Sequence, residues 1–466
     1  MSDAPQNLTP THLTPANQNP WYVLMTLYGE QDGEKVDRDL HKKNLAAWNA
    51  WACQAVEDAE RAKWDRVDQP DWRGWDIEAE QVMADHKAAM MARNGAEFAY
   101  PGFPDPSAMI ELSRLAFACN VAAQGMLFPG DTSFESATFS GAAFFGGATF
   151  GGEAWFDSGT FSGEARFTDA TFGEEAWFNF ATFSGAALFD NATFSGEAWF
   201  DSGTFSGEAG FDSATFSGLA WFLNATFKGP ASFGSATFSG PAFFSQAKFG
   251  LPGKMQSVSF ANCHFAKPTT FHHATFHASY PDFTGAMLHD KTDFSFGADN
   301  WPKDFKGDAE AAKASCATIR HNLGKQGLPE AEHFFFRREM EFAGQIGGWW
   351  QRLPYRAFGT LSDYGHSIAR PALWLVALWA VVGTVIHALL QWQVTWVPHP
   401  YHPFQAYALS AANLVSFLGF QRAYFPADFM DWLPASVRVL SALETISGVL
   451  LLFFLGLGLR TTFRLR

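Results

Sequence analysis

Cysteine is scarce: Cys53, Cys119, Cys263 and Cys316 are the only four in 466 residues, and none stands at CxxC or other ligand spacing. This excludes a disulfide framework and a cysteine-based zinc site, and it fits a reducing compartment. Basic residues are outnumbered, 32 against 47 acidic, and the net charge of -15 excludes a general nucleic-acid coat. The opening stretch, MSDAPQNLTPTHLTPANQNP, lacks a basic start and an apolar core, so no secretory signal is expected and the bulk of the chain should begin in the cytosol. Paired carboxylates, a nucleophile with a neighbouring base, a phosphate loop and metal spacing are also missing. No enzyme activity, catalytic residue, cofactor or metal is therefore expected.

What the chain has is aromatic residues, 17% of the total with 50 Phe. From Phe134 to Phe249 the Phe residues recur in steps that alternate strictly between five and six, and from Phe139 on each has Ala or Gly two places before it. Neither the 3.6 period of a helix nor a long flat strand gives such steps; they imply short extended pieces separated by corners. In each A-x-F piece the Ala and Phe point inward and the middle residue outward. Trp155, Trp177, Trp199 and Trp221 hold that outward position 22 residues apart, the sum of four pieces. A four-sided coil would stack each Trp over the last at about 4.8 Å, with Phe filling the axis.

The A-T-F-S-G and A-W-F-D-S units resemble the pentapeptide-repeat family, which implies a right-handed quadrilateral β-helix solenoid, here with 22-residue coils, over residues 129–298. The sequence departs from the plain pattern by one extra residue in every second unit: Glu153, Glu164, Glu175, Ala186, Glu197, Glu208, Leu219, Pro230 and Pro241. These should bulge at two opposite corners. Beyond Phe249 the register continues through Met255, Phe260, Phe265, Phe271 and Phe276, for about seven coils in all. Between Phe134 and Phe249 twelve acids face only Arg166, Lys228 and Lys248. Some soluble family members resemble duplex DNA and bind topoisomerases, but an acidic surface also simply keeps a repeat soluble, and nucleic acid is not expected as a partner. The Trp stripe is an interface candidate for a cytosolic protein, or else the N-terminal domain lies on it. Thr160, Thr171, Thr182 and Thr193 suit strands for packing reasons. His264, His272, His273, His277 and His289 near Cys263 fall on pieces that face different ways, which argues against a metal site.

The rest of a multi-domain chain is organised around this solenoid. Residues 1–19 read as disordered, and 20–128 as an α-rich N-terminal domain with a strand in WYVLMTLYGE and helices over Asp39–Trp64 and Ile77–Arg93. A helical hairpin cap and linker, 299–362, pairs Asp308–Lys325 with a helix opening at Pro329. Residues 363–466 read as a two-span α-helical membrane domain with spans at 371–392 and 439–459, so the lipid bilayer is an expected partner. Arg356 and Arg370 precede the first span and Arg460, Arg464 and Arg466 follow the second, which puts both ends in the cytoplasm.

The apolar segment 404–420 is too short to cross and reads as re-entrant or interfacial. Span, short segment, span is the layout of a two-span channel subunit. With SDYGHSIARP before it, this region resembles the channel-like C-terminal domain of some bacterial membrane pentapeptide-repeat proteins. That resemblance implies an inner-membrane homo-oligomer, a tetramer if it conducts; the alternative is a non-conducting scaffold tethered by its spans. Leu418-Gly419-Phe420 stands where a potassium filter would read T-x-G-Y-G, so carbonyl-ring selectivity is not implied. The pore candidates are Glu444, the lone acid of the spans, with Ser410, Asn413, Ser416, Gly419 and Phe420. Glu444 could instead sit near the outer end of its span within reach of Arg438. Ser410, Asn413 and Ser416 could face a pore or a neighbouring helix.

Overall fold

A computed structural model describes residues 13–33, 35–56, 75–95, 97–252, 256–277, 279–295, 297–302, 307–393, 402–425 and 427–463. The chain divides into two compact units, Met1–Glu332 and His333–Arg466.

The first unit is built on a parallel β-solenoid of about eight coils with 22-residue turns. Its strands are two or three residues long and form four sheets, one per side. Around one coil they run Ala154–Trp155, Thr160–Phe161, Ala165–Arg166 and Thr171–Phe172, each paired in parallel with the strand one coil on, such as Trp155 with Trp177 and Phe161 with Phe183. So short a strand is stable only because its neighbours above and below complete its hydrogen bonds. The inward Ala and Phe are buried throughout, as expected. Phe156 stacks on Phe178 at 4.8 Å and meets Phe167 of the opposite side edge-on at 5.3 Å. The axis is thus four columns of stacked rings that interlock edge to face, the arrangement that ring quadrupoles favour.

Two kinds of corner turn the chain. After the Trp-bearing side and the side opposite it, a tight turn closes with the Gly159 N–H donating to Phe156 O at 3.1 Å, and Ser158 adopts φ 56. That left-handed position returns at Asp169, Phe180, Asn191, Ser202, Ser213 and Asn224. The residue before it carries a second device. The Asp157 carboxylate accepts the Asn179 N–H (2.8 Å), Asn179 Oδ1 accepts the Asp201 N–H (3.0 Å), and Asp201 accepts the Leu223 N–H (2.9 Å). The ladder satisfies backbone donors that the corner leaves open. At the other two corners the coils approach so closely that a Cβ on Gly185 would lie 2.5 Å from Gly163 O. Here lie the extra residues, but they are not unpaired bulges: Glu175 O accepts the Ala154 N–H at 2.9 Å, so the surplus residue joins the ladder.

The solenoid starts earlier than expected, with Ile110–Glu111 and Leu115–Phe117 already in the sheets, inside what read as the N-terminal domain. Thr14–Pro15 pairs with Leu115–Ala116, so this part of residues 1–19 is ordered; residues 1–12 lie outside those described. WYVLMTLYGE corrects to a helix, α1 (Pro20–Met25). Asn19 caps it by accepting from the Trp21 and Tyr22 N–H groups, Pro20 opens it, and the run from Trp21 to Met25 is buried on every side. A run apolar all round carries no period, and the cap decides. Helix α2 (Arg38–Ala52) ends before the expected Trp64, with residues 57–64 outside those described, and α3 (Trp75–Asn94) covers the second expected helix.

These helices close the first coil. Trp48 donates its indole N–H to Leu127 O (2.7 Å) and packs on Phe128, while Tyr22 meets Phe117 edge-on. At the other end, helix α4 (Ala309–Lys325), capped by Asp308, donates from Ser315 to Pro281 O, from Asn322 to His289 O and, just past its end, from Gln326 to Thr292 O. Met255 of the expected register lies outside the described residues.

The boundary between units falls within helix α5 (Pro329–Ala343). The second unit continues with α6 (Trp349–Ser362), α7 (Ala369–Gln393), α8 (Pro403–Leu414), α9 (Phe420–Tyr424), α10 (Ala427–Trp432) and α11 (Ala435–Phe463). Ala369–Trp392 and Ala435–Phe463 are long and apolar enough to cross a membrane, with mean hydropathy of 2.2 and 2.0. Only 22% of each apolar window is buried, the reverse of a soluble core helix.

Replacing Gly185 by Ala should force a coil apart and cost about 1–3 kcal/mol, seen as a lower midpoint of solenoid unfolding, while Ser184→Ala at the neighbouring position should not. Phe180→Asn should raise the midpoint, since Asn accepts the left-handed conformation that costs Phe about 1 kcal/mol or more.

Candidate functional site

The structure brings three of the six pore candidates together inside the second unit. Glu444, Ser410 and Asn413 are buried, Glu444 to 1% exposure. Ser410 on α8 donates to Glu444 Oε1, and Asn413 Nδ2 donates to Glu444 Oε2 at 2.8 Å. Ser410 Oγ also lies 3.1 Å from Trp379 O on α7, and Gln421 on α9 donates to Asn413 Oδ1. One side-chain network therefore joins α7, α8, α9 and α11.

Local sequence explains why α8 reaches that position. Its 12 residues begin at Pro403 and bury Ala406, Leu409, Ser410, Ala412, Asn413 and Leu414, one face at helical spacing. Gly383 of α7 leaves room for the Tyr407 ring, where a Cβ would come within 2.5 Å, and Gly448 of α11 leaves room for Leu414. Small residues at helix crossings allow this close approach. Around the polar cluster lies an apolar one, including Val382, Ile386, Leu390, Leu409 and Val437.

Arg438 does not reach Glu444; it donates to Leu433 O and Asp431 O. Helix α11 starts at Ala435, so Glu444 lies roughly 14 Å along its axis at 1.5 Å per residue, well inside the helix. Ser410 and Asn413 face neighbouring helices. Ser416 leaves that row, because α8 ends at Leu414 and a tighter turn covers Ser416–Leu418. Gly419 follows at φ 73, and Gly419 and Phe420 are exposed. The cluster and the tip of the short segment are thus separate features. Sequence reading missed Gln421, whose signal was a polar residue directly after an apolar segment.

On the solenoid, Trp177 and Trp199 stack at 4.9 Å and 2°, Trp199 and Trp221 at 4.9 Å, and Trp221 on Phe243 at 4.2 Å. The Trp side chains are half-buried because each ring covers the next. The contacts of the N-terminal helices described above lie at the first coil, away from this ladder. Phe180 was missed: it is 64% exposed at a left-handed corner where the other positions hold Ser, Asp, Asn or Gly, and in three places Arg114, Gln246 and His273, so it is the one apolar ring in that set, and scanning that position every eleven residues would have found it. His272 and His273 lie with ring centroids 4.0 Å apart. His272 pairs with Asp293 at 3.5 Å, Cys263 is buried and donates to Phe233 O, and among the described residues no three His, Cys, Asp or Glu side chains gather to hold a metal.

Burial holds the corner carboxylates Asp157, Asp190 and Asp201 above the ordinary carboxylate range, and the effect is large at Asp157. Burial raises its pKa from 3.8 to about 6, against the partial relief of the Asn179 N–H bond.

The pentapeptide-repeat family model matches the chain in nine copies, with residues 123–171, 167–215 and 189–236 covered. The solenoid is therefore a pentapeptide-repeat coil. No curated protein and no solved structure matches the chain.

Folded Asp157 keeps its proton between pH 3.8 and about 6, where the unfolded chain has lost it. Its contribution to stability should thus be fullest below pH 3.8 and be lost as pH rises to about 6. Asp157→Asn, the residue already used at 179, should remove that part of the slope in unfolding measured across this range.

Proposed function

We propose that this pentapeptide-repeat protein is anchored in a membrane by α7 and α11, with α8 as a re-entrant helix between them, and that copies assemble around an ion path lined by the Ser416 to Phe420 tip. The observation that carries this reading is the burial of Glu444 against Ser410 and Asn413 between two helices whose outer faces are apolar and exposed. A polar network of this kind in an apolar layer is costly unless complete, and here it fixes a helix too short to span. Glu444 then acts from behind the tip as the anchor of α8, and does not itself line the path. The excess of Arg before the first span and after the second favours the cytoplasm for the solenoid, with Arg464 and Arg466 of that set lying outside the described residues.

The solenoid serves in this reading as a docking or sensing module. Phe180, exposed at 64% and held in the left-handed conformation, favours a protein partner there, and it is also the feature that a non-conducting scaffold would use. The acidic balance of the coil, twelve acids against Arg166, Lys228 and Lys248 between Phe134 and Phe249, disfavours nucleic acid as a partner there.

Mass measurement of the protein extracted in native lipid should give a closed ring of about four subunits, because two spans and one short helix cannot enclose a path alone. Liposomes carrying it should pass ions. Glu444→Ala should abolish flux and loosen α8, whereas Gly419→Ala should alter flux with the ring intact. A monomer, or a ring that passes no ion, would leave the scaffold reading in place of the channel.

A further inference from the structure

Helix α6 (Trp349–Ser362) read from sequence as part of a cap and linker, yet its surface is unlike a linker's. Trp349 and Trp350 are 64% and 67% exposed and stack on each other, and Leu353 is exposed one turn on. With Ala357, these residues fall on one stripe of the helix at 100° per residue, and Arg352 and Arg356 follow one edge of it. The opposite face is used inside the unit: Phe358 packs on Phe454 of α11 at 5.4 Å, and Gly359 is buried.

The helix is also held at a fixed place. A turn of six residues joins it to α7, with Asp363 and Tyr364 in the left-handed region. The Asp363 carboxylate accepts from Arg337 at 3.0 Å and lies 3.4 Å from Arg370, which donates to Gly359 O at 2.9 Å. The aromatic stripe therefore sits at the foot of the first apolar helix and cannot swing away from it.

We infer that α6 is an interfacial helix that lays Trp349, Trp350 and Leu353 into the headgroup layer of an anionic bilayer, with Arg352 and Arg356 against lipid phosphates. The inference rests on the proposal that α7 and α11 span a membrane. Tryptophan favours the boundary between hydrocarbon and water, where its apolar ring and its N–H are both accommodated, and a basic edge complements anionic lipid. A soluble protein partner would use the stripe but has no need of its continuity with the span.

The test uses the full chain with Cys119→Ser, so that the remaining native thiols are buried. Spin labels are placed on cysteines at Leu353, at Val381 on the exposed face of α7, and at Ser213 on the coil as a water reference. The protein is reconstituted into vesicles of phosphatidylcholine with or without phosphatidylglycerol, and collision with oxygen is compared with collision with a water-soluble nickel chelate. With phosphatidylglycerol present, the nickel collision rate at Leu353 should fall severalfold below that at Ser213 while oxygen collision rises, and Arg352→Glu with Arg356→Glu should cancel the effect of the anionic lipid. If Val381 lies in lipid while Leu353 is as open to nickel as Ser213, the interfacial helix is wrong and the span stands. Shielding of Leu353 from both reagents means that protein covers it and overturns the inference. Nickel access at Val381 overturns the spanning reading and the inference with it.

Discussion

The first unit depends on one spacing, the separation of about 4.8 Å at which parallel strands exchange hydrogen bonds. Every coil is tied to the next at that distance, so a side chain that recurs every 22 residues meets its own copy. Phe can fill the axis because flat rings stack at nearly this separation, as Phe156 and Phe178 do at 4.8 Å. Glycine is required where corners converge, since the Gly163 carbonyl takes the place of a Cβ at Gly185. Asp and Asn recur after Phe because a side-chain oxygen one coil away is at hydrogen-bond distance from a free N–H.

The same spacing recasts the Trp ladder. Rings held at 4.9 Å by their backbones cover one another, and each stacked pair adds about 0.5–1.5 kcal/mol beyond burial. A stripe that looked like an open interface is in part the coil's own reinforcement. The departure from regularity at Phe180 is more informative, because nothing in the repeat explains a bulky exposed ring at a left-handed corner.

The second unit obeys another constraint. Polar groups placed among apolar helices must find partners, and Glu444 finds Ser410 and Asn413 while Gln421 completes Asn413. Those bonds, with the close crossings at Gly383 and Gly448, hold α8 between α7 and α11. In the membrane-anchored reading proposed above, the exposed aliphatic faces of α7 and α11 and the aromatic stripe of α6 meet the same bilayer.

Periodicity alone determined the solenoid: its inward Ala and Phe, its four sides and its 22-residue turn follow from steps of five and six, because a repeat forces each local choice to recur. Composition and length likewise marked two apolar helices and a short segment between them. Where no period existed, tertiary packing decided. It carried the sheets back to Ile110 and drew the surplus corner residues into the ladder, while α1 owed its helix to a local signal, the Asn19 cap and Pro20, that the aperiodic apolar run had hidden. It also turned Ser410 and Asn413 toward Glu444 and left Ser416 out of their row, since α8 ends at Leu414 and the chain tightens there. Side chains from separate helices meet only when those helices pack, and spacing along one chain cannot specify that meeting.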